Sequence, residues 1–516
     1  MKHLYTAILA LAIITLASCR QDREELLSYN NTANMMAAKE SYGEQFKVMW
    51  NAMNTNYAAW EIEDIDWDNI YTAYYPRFVE LDTLASRIDT DSPDAVDRVT
   101  EIRSKAQAMY EEILSPLHDG HMTLMFIDPL TKESYAVSPA HTRNQARPDF
   151  GDNAAWDLSH YIDVTNDIEA DNYIQMYPLM GSLIMDWLVQ EAAKLQEAAD
   201  EYASEETHTA TEEIEQFQRI SMISTINRIQ EKCSNDPSLY KDVATAYNNL
   251  IVPNHPALGY SQIFADEMPA DMLLFITKDG ICYMRISKFL LGDVMSDDLT
   301  GIEAIIGQQY QDAWQSWHNT IYQLQREGKL KGVIFDMRNN GGGSTDDFKY
   351  VAGSVMAGKC VLGTMKSKNG IGRLDYSPAV PFYFDCHKSN TESITAPIIA
   401  ITNVHSVSMA EMTTIAVKQK EGGISLGTTT WGGCTTLITN GDYSELTDYA
   451  GTFGVQGETP VFGYFPYHLC LYTGMGAAES KGFTPDIEVR YDADLYNQTG
   501  RDNQLERAFQ YLRTGR

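Results

Sequence analysis

Between residues 35 and 115, apolar side chains recur every three or four positions. Phe46, Met49, Trp50 and Met53 form one such stripe, and Ile102, Ala106, Met109, Tyr110 and Ile113 form another. That spacing puts each set on one face of a helix, so 35–125 reads as an N-terminal helical domain with its Met and aromatic residues in the core. From 126 to 270 the pattern carries less information. Met180 to Ala203 predicts an amphipathic helix, the acidic, Thr-rich stretch Ser204 to Glu213 a loop, and Glu215 to Lys232 a further helix. This region contains no motif or internal repeat and reads as an insertion or cap.

After residue 271 the pattern changes to short apolar runs alternating with helical stretches. Leu273–Ile276 and Gly280–Ile286 predict a hairpin, and Ala304–Arg326 a helix. Lys331–Met337 and Ala396–Thr402 predict buried strands, Met409–Lys418 a helix, and Gly423–Gly427 another strand. Such alternation predicts an α/β layered domain over 271–500, followed by a C-terminal helix over 501–516. Ligands in these sheets collect where strand ends meet helix starts.

The first residues stand apart. Lys2 and His3 precede the apolar stretch Leu4–Leu16, which is too short for a bilayer span of roughly 20 residues. It ends in Leu16-Ala17-Ser18-Cys19, which resembles the bacterial lipobox. The expectation is a lipoprotein signal peptide over 1–18, Cys19 as the lipidated N-terminus, and a polar tether over 19–34. A plain secretory signal that happens to contain a Cys is the alternative. Lipid on Cys19 would hold the protein on a membrane of the bacterial cell envelope.

The formal net charge of −32 disfavours nucleic acid and anionic lipid surfaces as partners. With no zinc-type Cys/His spacing and no phosphate-cradling loop, neither metal nor cofactor is expected. The six cysteines after Cys19 are widely spaced. Sequence cannot choose their pairing, and several lie in apolar runs that suit buried free thiols.

Two segments carry chemistry. The run Pro397–Asn403 continues as Val404-His405-Ser406-Val407-Ser408-Met409-Ala410-Glu411. A hydroxyl on the turn between a buried strand and a helix gains the helix N-terminus and the next backbone N–H as stabilisers of negative charge. Ser408 would also serve as a plain helix N-cap. The second segment, Gly332–Arg338, ends in Asn339-Asn340-Gly341-Gly342-Gly343. Successive glycines suit a turn that needs positive φ or close backbone approach to a ligand.

Together these segments resemble the tail-specific (C-terminal-processing) and tricorn serine proteases, peptidase family S41. Asp336–Gly343 is similar to that family's Asp-x-Arg-x-Asn-x-Gly-Gly turn, and Ser406–Glu411 to its nucleophile segment. Gly427–Gly432 and Lys481–Ile487 are similar to its two closing motifs. The resemblance covers roughly 275–495. It implies a crotonase-like core of β-β-α units, Ser408 as the acyl-forming nucleophile, and an oxyanion hole from the Gly342 and Met409 amides. A peptide or protein would be the substrate.

The base departs from part of the family. Members with a Ser-Lys dyad carry the lysine where this chain has Gly433, and Lys418 and Lys420 read as solvated. Leu117-His118-Asp119-Gly120-His121 instead resembles the histidine segment of the tricorn-like branch, with His121 as base and His118 and His405 as competitors. That branch orients its histidine through a glutamate, matched by Glu479, and through a bridging serine whose place is taken by Gly120. Glu479 could equally be a solvated surface charge, and Asp119 and Asp336 read as turn and strand-end residues. No segment reads as a PDZ-type peptide-binding module. Two other functions compete with a peptidase. A non-catalytic peptide- or ligand-binding lipoprotein on the same fold is one, favoured by Gly433 and Gly120. An acyl-CoA enzyme is the other, disfavoured by the export signal.

Overall fold

The computed structural model describes residues 32–515 except 90, 157, 159–173, 256–257, 260–261, 263–270, 371, 436–452 and 467. The signal segment and Cys19 lie outside the described residues. The chain divides into two compact units that do not follow its linear segments. One comprises 1–151, 361–383 and 430–483, and the other 152–360, 384–429 and 484–516.

The second unit is built on a seven-stranded sheet. Its strands are β1 (Ile174–Gln175), β2 (Met272–Ile276), β3 (Ile281–Ile286), β4 (Gly332–Asp336), β5 (Ile398–Thr402), β6 (Gly423–Gly427) and β7 (Ile487–Glu488). They lie side by side in chain order, antiparallel from β1 to β3 and parallel from β3 to β7. Every residue of β2 to β5 is buried, as expected of parallel strands covered on both faces. The predicted hairpin is β2–β3, and the two predicted buried strands are the neighbours β4 and β5.

Helices of this unit include α1 (Met176–Ser204), α2 (Ala210–Asn235), α3 (Gly301–Arg326), α4 (Met409–Gln419) and α5 (Asn503–Thr514). α3 buries Ile302, Ile306, Tyr310, Trp314, Trp317 and Ile321 along one stripe. Leu505, Ala508 and Phe509 of α5 join Leu273, Phe275, Ile334, Ile399 and Ile401 in one core cluster. The loop expected over 204–213 is shorter than the pattern implied. Thr209 and Glu212 form a capping box that starts α2 at Ala210.

The first unit packs helices Tyr42–Asn56, Trp67–Ala85 and Ala95–Leu114 around an aromatic core, with Phe46, Phe78, Tyr110 and Phe126 in successive ring contact. Helix periodicity located the first and third of these helices, and Trp67–Ala85 falls within the stretch read as mainly helical. Periodicity did not reveal the antiparallel sheet of Thr123–Ile127 between Ser134–Val137 and Val461–Tyr464, the last of which lies far along the chain. The six cysteines among the described residues are free thiols, all buried except the half-buried Cys360. No helix among the described residues is long and apolar enough to cross a membrane.

Asp336 closes β4 with a fully buried charge network. Arg338 binds it through Nε at 2.8 Å, the Tyr283 hydroxyl donates to it at 2.7 Å, and Arg338 also pairs with Asp502 at 2.8 Å. Burial alone would raise the Asp336 pKa, but the Arg338 and Arg285 guanidiniums outweigh it and hold the carboxyl below its usual range. Asp336 is therefore a strand-end fixture, as its sequence position implies. Removing one member strands the others without water. Asp336→Ala is expected to lose about 3–5 kcal/mol in urea unfolding. Asp279→Ala, at the half-exposed pairs with Lys331 and Arg513, should lose about 1 kcal/mol or less. Equal losses in the two variants would contradict the assignment of a load to the buried network.

Candidate active site

β4 and β5 are parallel neighbours with Asp336 opposite Ile401, so both chains leave the sheet at the same edge and turn side by side. Backbone and side chains then lace the two turns together. Val407 N–H donates to Asn340 O at 2.9 Å, and Ser406 Oγ donates to Met337 O at 2.8 Å. Asn339 N–H donates to Asn403 Oδ1 at 3.0 Å, and Asn403 Nδ2 donates to Asn339 Oδ1 at 2.6 Å. The asparagines are thus not loop filler. They fix the register of two segments about seventy residues apart in the chain.

Ser408 sits where these turns meet, at the N-cap of α4, with φ 55° and ψ −115°. An ordinary N-cap is in the β region. A non-glycine residue held at positive φ is strained, and such strain persists only where the surroundings over-determine it. Here they do. Ser408 N–H donates to Glu411 Oε2 at 3.1 Å, and Ser408 O accepts the N–H of Glu411 at 2.8 Å and of Met412 at 2.9 Å. The glycine turn closes the other side. A Cβ on Gly342, whose φ is 93°, would stand 2.6 Å from Ser408 Cβ and 3.1 Å from Met409 N. Only glycine fits there.

The two amides expected to bind an oxyanion differ. Among the described residues the Met409 N–H has no acceptor, as befits the first turn of a helix. The Gly342 N–H instead donates to Asn340 Oδ1 at 2.8 Å, so as an oxyanion donor it is engaged rather than free.

The predicted base and its partner are in the first unit. Asp119 is fully buried, and its Oδ1 accepts the N–H groups of His121 and Met122 at 2.8 Å each, an Asx turn that fixes the His121 backbone. Both His121 ring nitrogens are shielded from water and have no hydrogen-bond partner among the described residues. Burial lowers the His121 pKa to about 4, which keeps the ring neutral. Burial raises the Asp119 carboxyl to about 7, against the pull of its two N–H donors.

Glu479 is buried rather than a solvated surface charge. Its Oε2 accepts the Cys434 N–H at 2.8 Å and its Oε1 the Thr435 hydroxyl. Ligating atoms of Asp119, His121 and Glu479 all lie within 4.8 Å of one another. The histidine and the carboxylate are therefore brought together, with a gap rather than a hydrogen bond between them. Gly120 accounts for the missing bridging serine. A Cβ there would lie 1.9 Å from Gly432 O and 2.3 Å from Gly433 Cα.

The remaining candidates are occupied elsewhere. His118 pairs with Glu63 through Nδ1 at 2.9 Å and its N–H at 2.7 Å. His405 is half-buried in the second unit, its N–H donating to Asn403 Oδ1 at 3.1 Å. Lys418 is not solvated as expected. Its ammonium donates to Asp486 at 2.6 Å, Ser425 Oγ at 3.0 Å and Thr484 O at 3.2 Å, which ties α4 to the closing motif. The resemblance pairs His121 with Glu479, but the Asp119 carboxylate, read only as a turn residue, was not expected beside them. Only the Asp119-Gly120-His121 turn was a local sign of it.

Residues 280–489 match the family model "Peptidase family S41". The tricorn protease of Thermoplasma volcanium is 29% identical over 196 residues, which cover 38% of this chain and 16% of that one. The chain thus spans about a sixth of the length of that curated relative. Among solved structures, a provisionally assigned peptidase from Parabacteroides merdae is 16% identical with a TM-score of 0.48, covering 92% of this chain and 96% of the other. A crystal structure of tricorn protease is 18% identical with a TM-score of 0.26, covering 47% and 22%. The family-model match agrees with the resemblance read from the four motifs, and the matched segment contains both turns of the Ser408 site.

Packing at Gly120 yields a direct test. Gly120→Ser, which places a serine where the tricorn-like pattern has one, is expected to destabilise the fold by about 3 kcal/mol, because backbone rather than a movable side chain fills the space. Thermal melting of the variant checks this. An unchanged melting temperature would show that the Gly120–Gly432 contact can open.

Proposed function

We propose that the protein is a serine endopeptidase, lipid-anchored through Cys19 in the bacterial cell envelope, that cleaves peptides through an acyl-enzyme on Ser408. The strained Ser408 turn, pressed against Gly342 at the start of α4, is the observation that carries this proposal. A strained strand-to-helix turn presents a serine oxygen toward substrate, beside backbone donors. The core would be crotonase-like, with the β3 to β6 strands and their helices as its layered units.

In the proposed reaction Ser408 Oγ attacks the scissile carbonyl carbon and its proton passes to the neutral imidazole of His121. The Met409 N–H donates to the oxyanion. Gly342 adds a second donor once substrate displaces its bond to Asn340. Collapse of the tetrahedral intermediate breaks the C–N bond as imidazolium protonates the leaving amine. Water, deprotonated by the same imidazole, then attacks the acyl carbon; the Ser408 Oγ–C bond breaks, the imidazolium returns its proton to Oγ, and the new carboxyl terminus leaves. Buried carboxylates near His121, Glu479 above all, stabilise the imidazolium that forms between these steps. No metal or cofactor takes part.

One observation favours the competing function, a non-catalytic peptide- or ligand-binding lipoprotein on the same fold. The Gly342 N–H is already satisfied by Asn340, so the oxyanion site is half-closed. A fluorophosphonate probe separates the two. Labelling of the wild-type chain is expected, with complete loss in Ser408→Ala and at least a 10²-fold slower rate in His121→Ala. A folded wild-type protein that does not label would put the binding protein first. Unchanged labelling in His121→Ala would move the base to another residue.

A further inference from the structure

The cluster around His121 has more unsatisfied ligand atoms than a proton relay needs. Asp119 Oδ2 and both His121 nitrogens are buried without a hydrogen-bond partner among the described residues. Groups left this way are costly unless something else fills the space between them. The surroundings are also negative. Asp119, Glu479 and Glu63 are all buried, with Arg143 the nearby cation, and the Arg143 guanidinium points its NH1 and NH2 groups at the Leu117 and Asp119 carbonyls.

We propose that Asp119, His121 and Glu479 form a binding site for a divalent first-row transition ion, for which Zn2+ is the probe. The donor set is one imidazole and two carboxylates, with ligating atoms within 4.8 Å of one another. Ligand distances near 2.0–2.2 Å require those atoms to draw in by about 1 Å. An imidazole in the set favours Zn2+ and its neighbours over Mg2+ or Ca2+, which take all-oxygen shells.

The second shell is already in place. Asp119 Oδ1 is held by two backbone N–H groups, which leaves Oδ2 to ligate, and the Glu479 carboxylate is held by Cys434 N–H and Thr435 Oγ1. Such outer contacts fix ligand orientation in metal sites. Three protein ligands leave a fourth position for water or substrate.

The ion would be a regulator of the proposed peptidase, and this consequence rests on the function proposed above. A metal on the imidazole lone pair removes the proton acceptor, so the bound form is silent and the chelated form active.

Calorimetric titration of Zn2+ into the untagged full chain, extracted in detergent and stripped with chelator, tests the site without reference to activity. One equivalent is expected to bind, at least 10-fold more weakly in His121→Asn and in Glu479→Gln, with no binding of Ca2+. Absence of Zn2+ binding, or binding unchanged in both variants, would overturn the proposal. Zinc-edge X-ray absorption on the wild-type protein covers the case in which the variants do not fold. One imidazole with oxygen neighbours is expected, and sulfur ligation from the free cysteines would sink it. Fluorophosphonate labelling with and without Zn2+ reads the regulatory consequence separately. Labelling should fall at least 10-fold with one equivalent of Zn2+, and undiminished labelling of the zinc-bound chain would remove the regulatory role. A chain that binds Zn2+ but never labels would keep the metal site and lose the peptidase.

Discussion

The parallel pairing of β4 with β5 is the constraint on which the Ser408 site depends. Both strands are buried along their whole length, so their register is set by packing on two faces. That register delivers the glycine turn and the serine turn to the same edge. The asparagine pair Asn339–Asn403 and the Val407–Asn340 backbone bond then lock the turns together. Ser408 holds its positive φ because Gly342 has no side chain and Glu411 clasps its N–H. A side chain at 342 or loss of the clasp would let the turn relax toward an ordinary N-cap.

A second constraint governs the histidine unit. Gly120 is in backbone contact with the Gly432–Gly433 turn, and Trp431 Nε1 donates to Gly120 O at 2.9 Å. Close packing of this kind brings the Asp119–His121 turn beside the Thr430 and Glu479 segments. It also excludes the serine hydroxyl that would bridge His121 to a carboxylate. The result is an imidazole near two carboxylates with no direct hydrogen bond, whose neutral form burial favours. The packing at Gly120 therefore explains why this chain departs from the tricorn-like pattern at the residue before His121.

Much of the second unit was legible because its signals are local. All-apolar runs gave β4 and β5, and the strand–turn–helix sequence gave α4 and Ser408. The four motifs carried the resemblance to peptidase family S41, and two of them make ties: Thr430 Oγ1 accepts Phe483 N–H at 2.7 Å, and Asp486 accepts Ser425 N–H at 2.8 Å. Other features were hidden because they depend on contacts distant in sequence. The sheet joining Thr123–Ile127 to Val461–Tyr464 is one, and the burial of Glu479 by Cys434 and Thr435 is another. Lys418 looked solvated because its partner Asp486 lies far along the chain. The bond from Gly342 to Asn340 could not be anticipated, since a motif specifies residues but not which acceptor an amide chooses.

A covalent bond between substrate and Ser408 is the central claim, and trapping it is the most direct test. The full chain would be mixed with an activated peptide ester, quenched in acid within one turnover, and its mass read before and after proteolytic mapping. A single acyl adduct on the peptide containing Ser408, which disappears as product forms, is expected. Product release with no adduct at Ser408, or an adduct on another residue, would contradict the assignment of Ser408 as nucleophile.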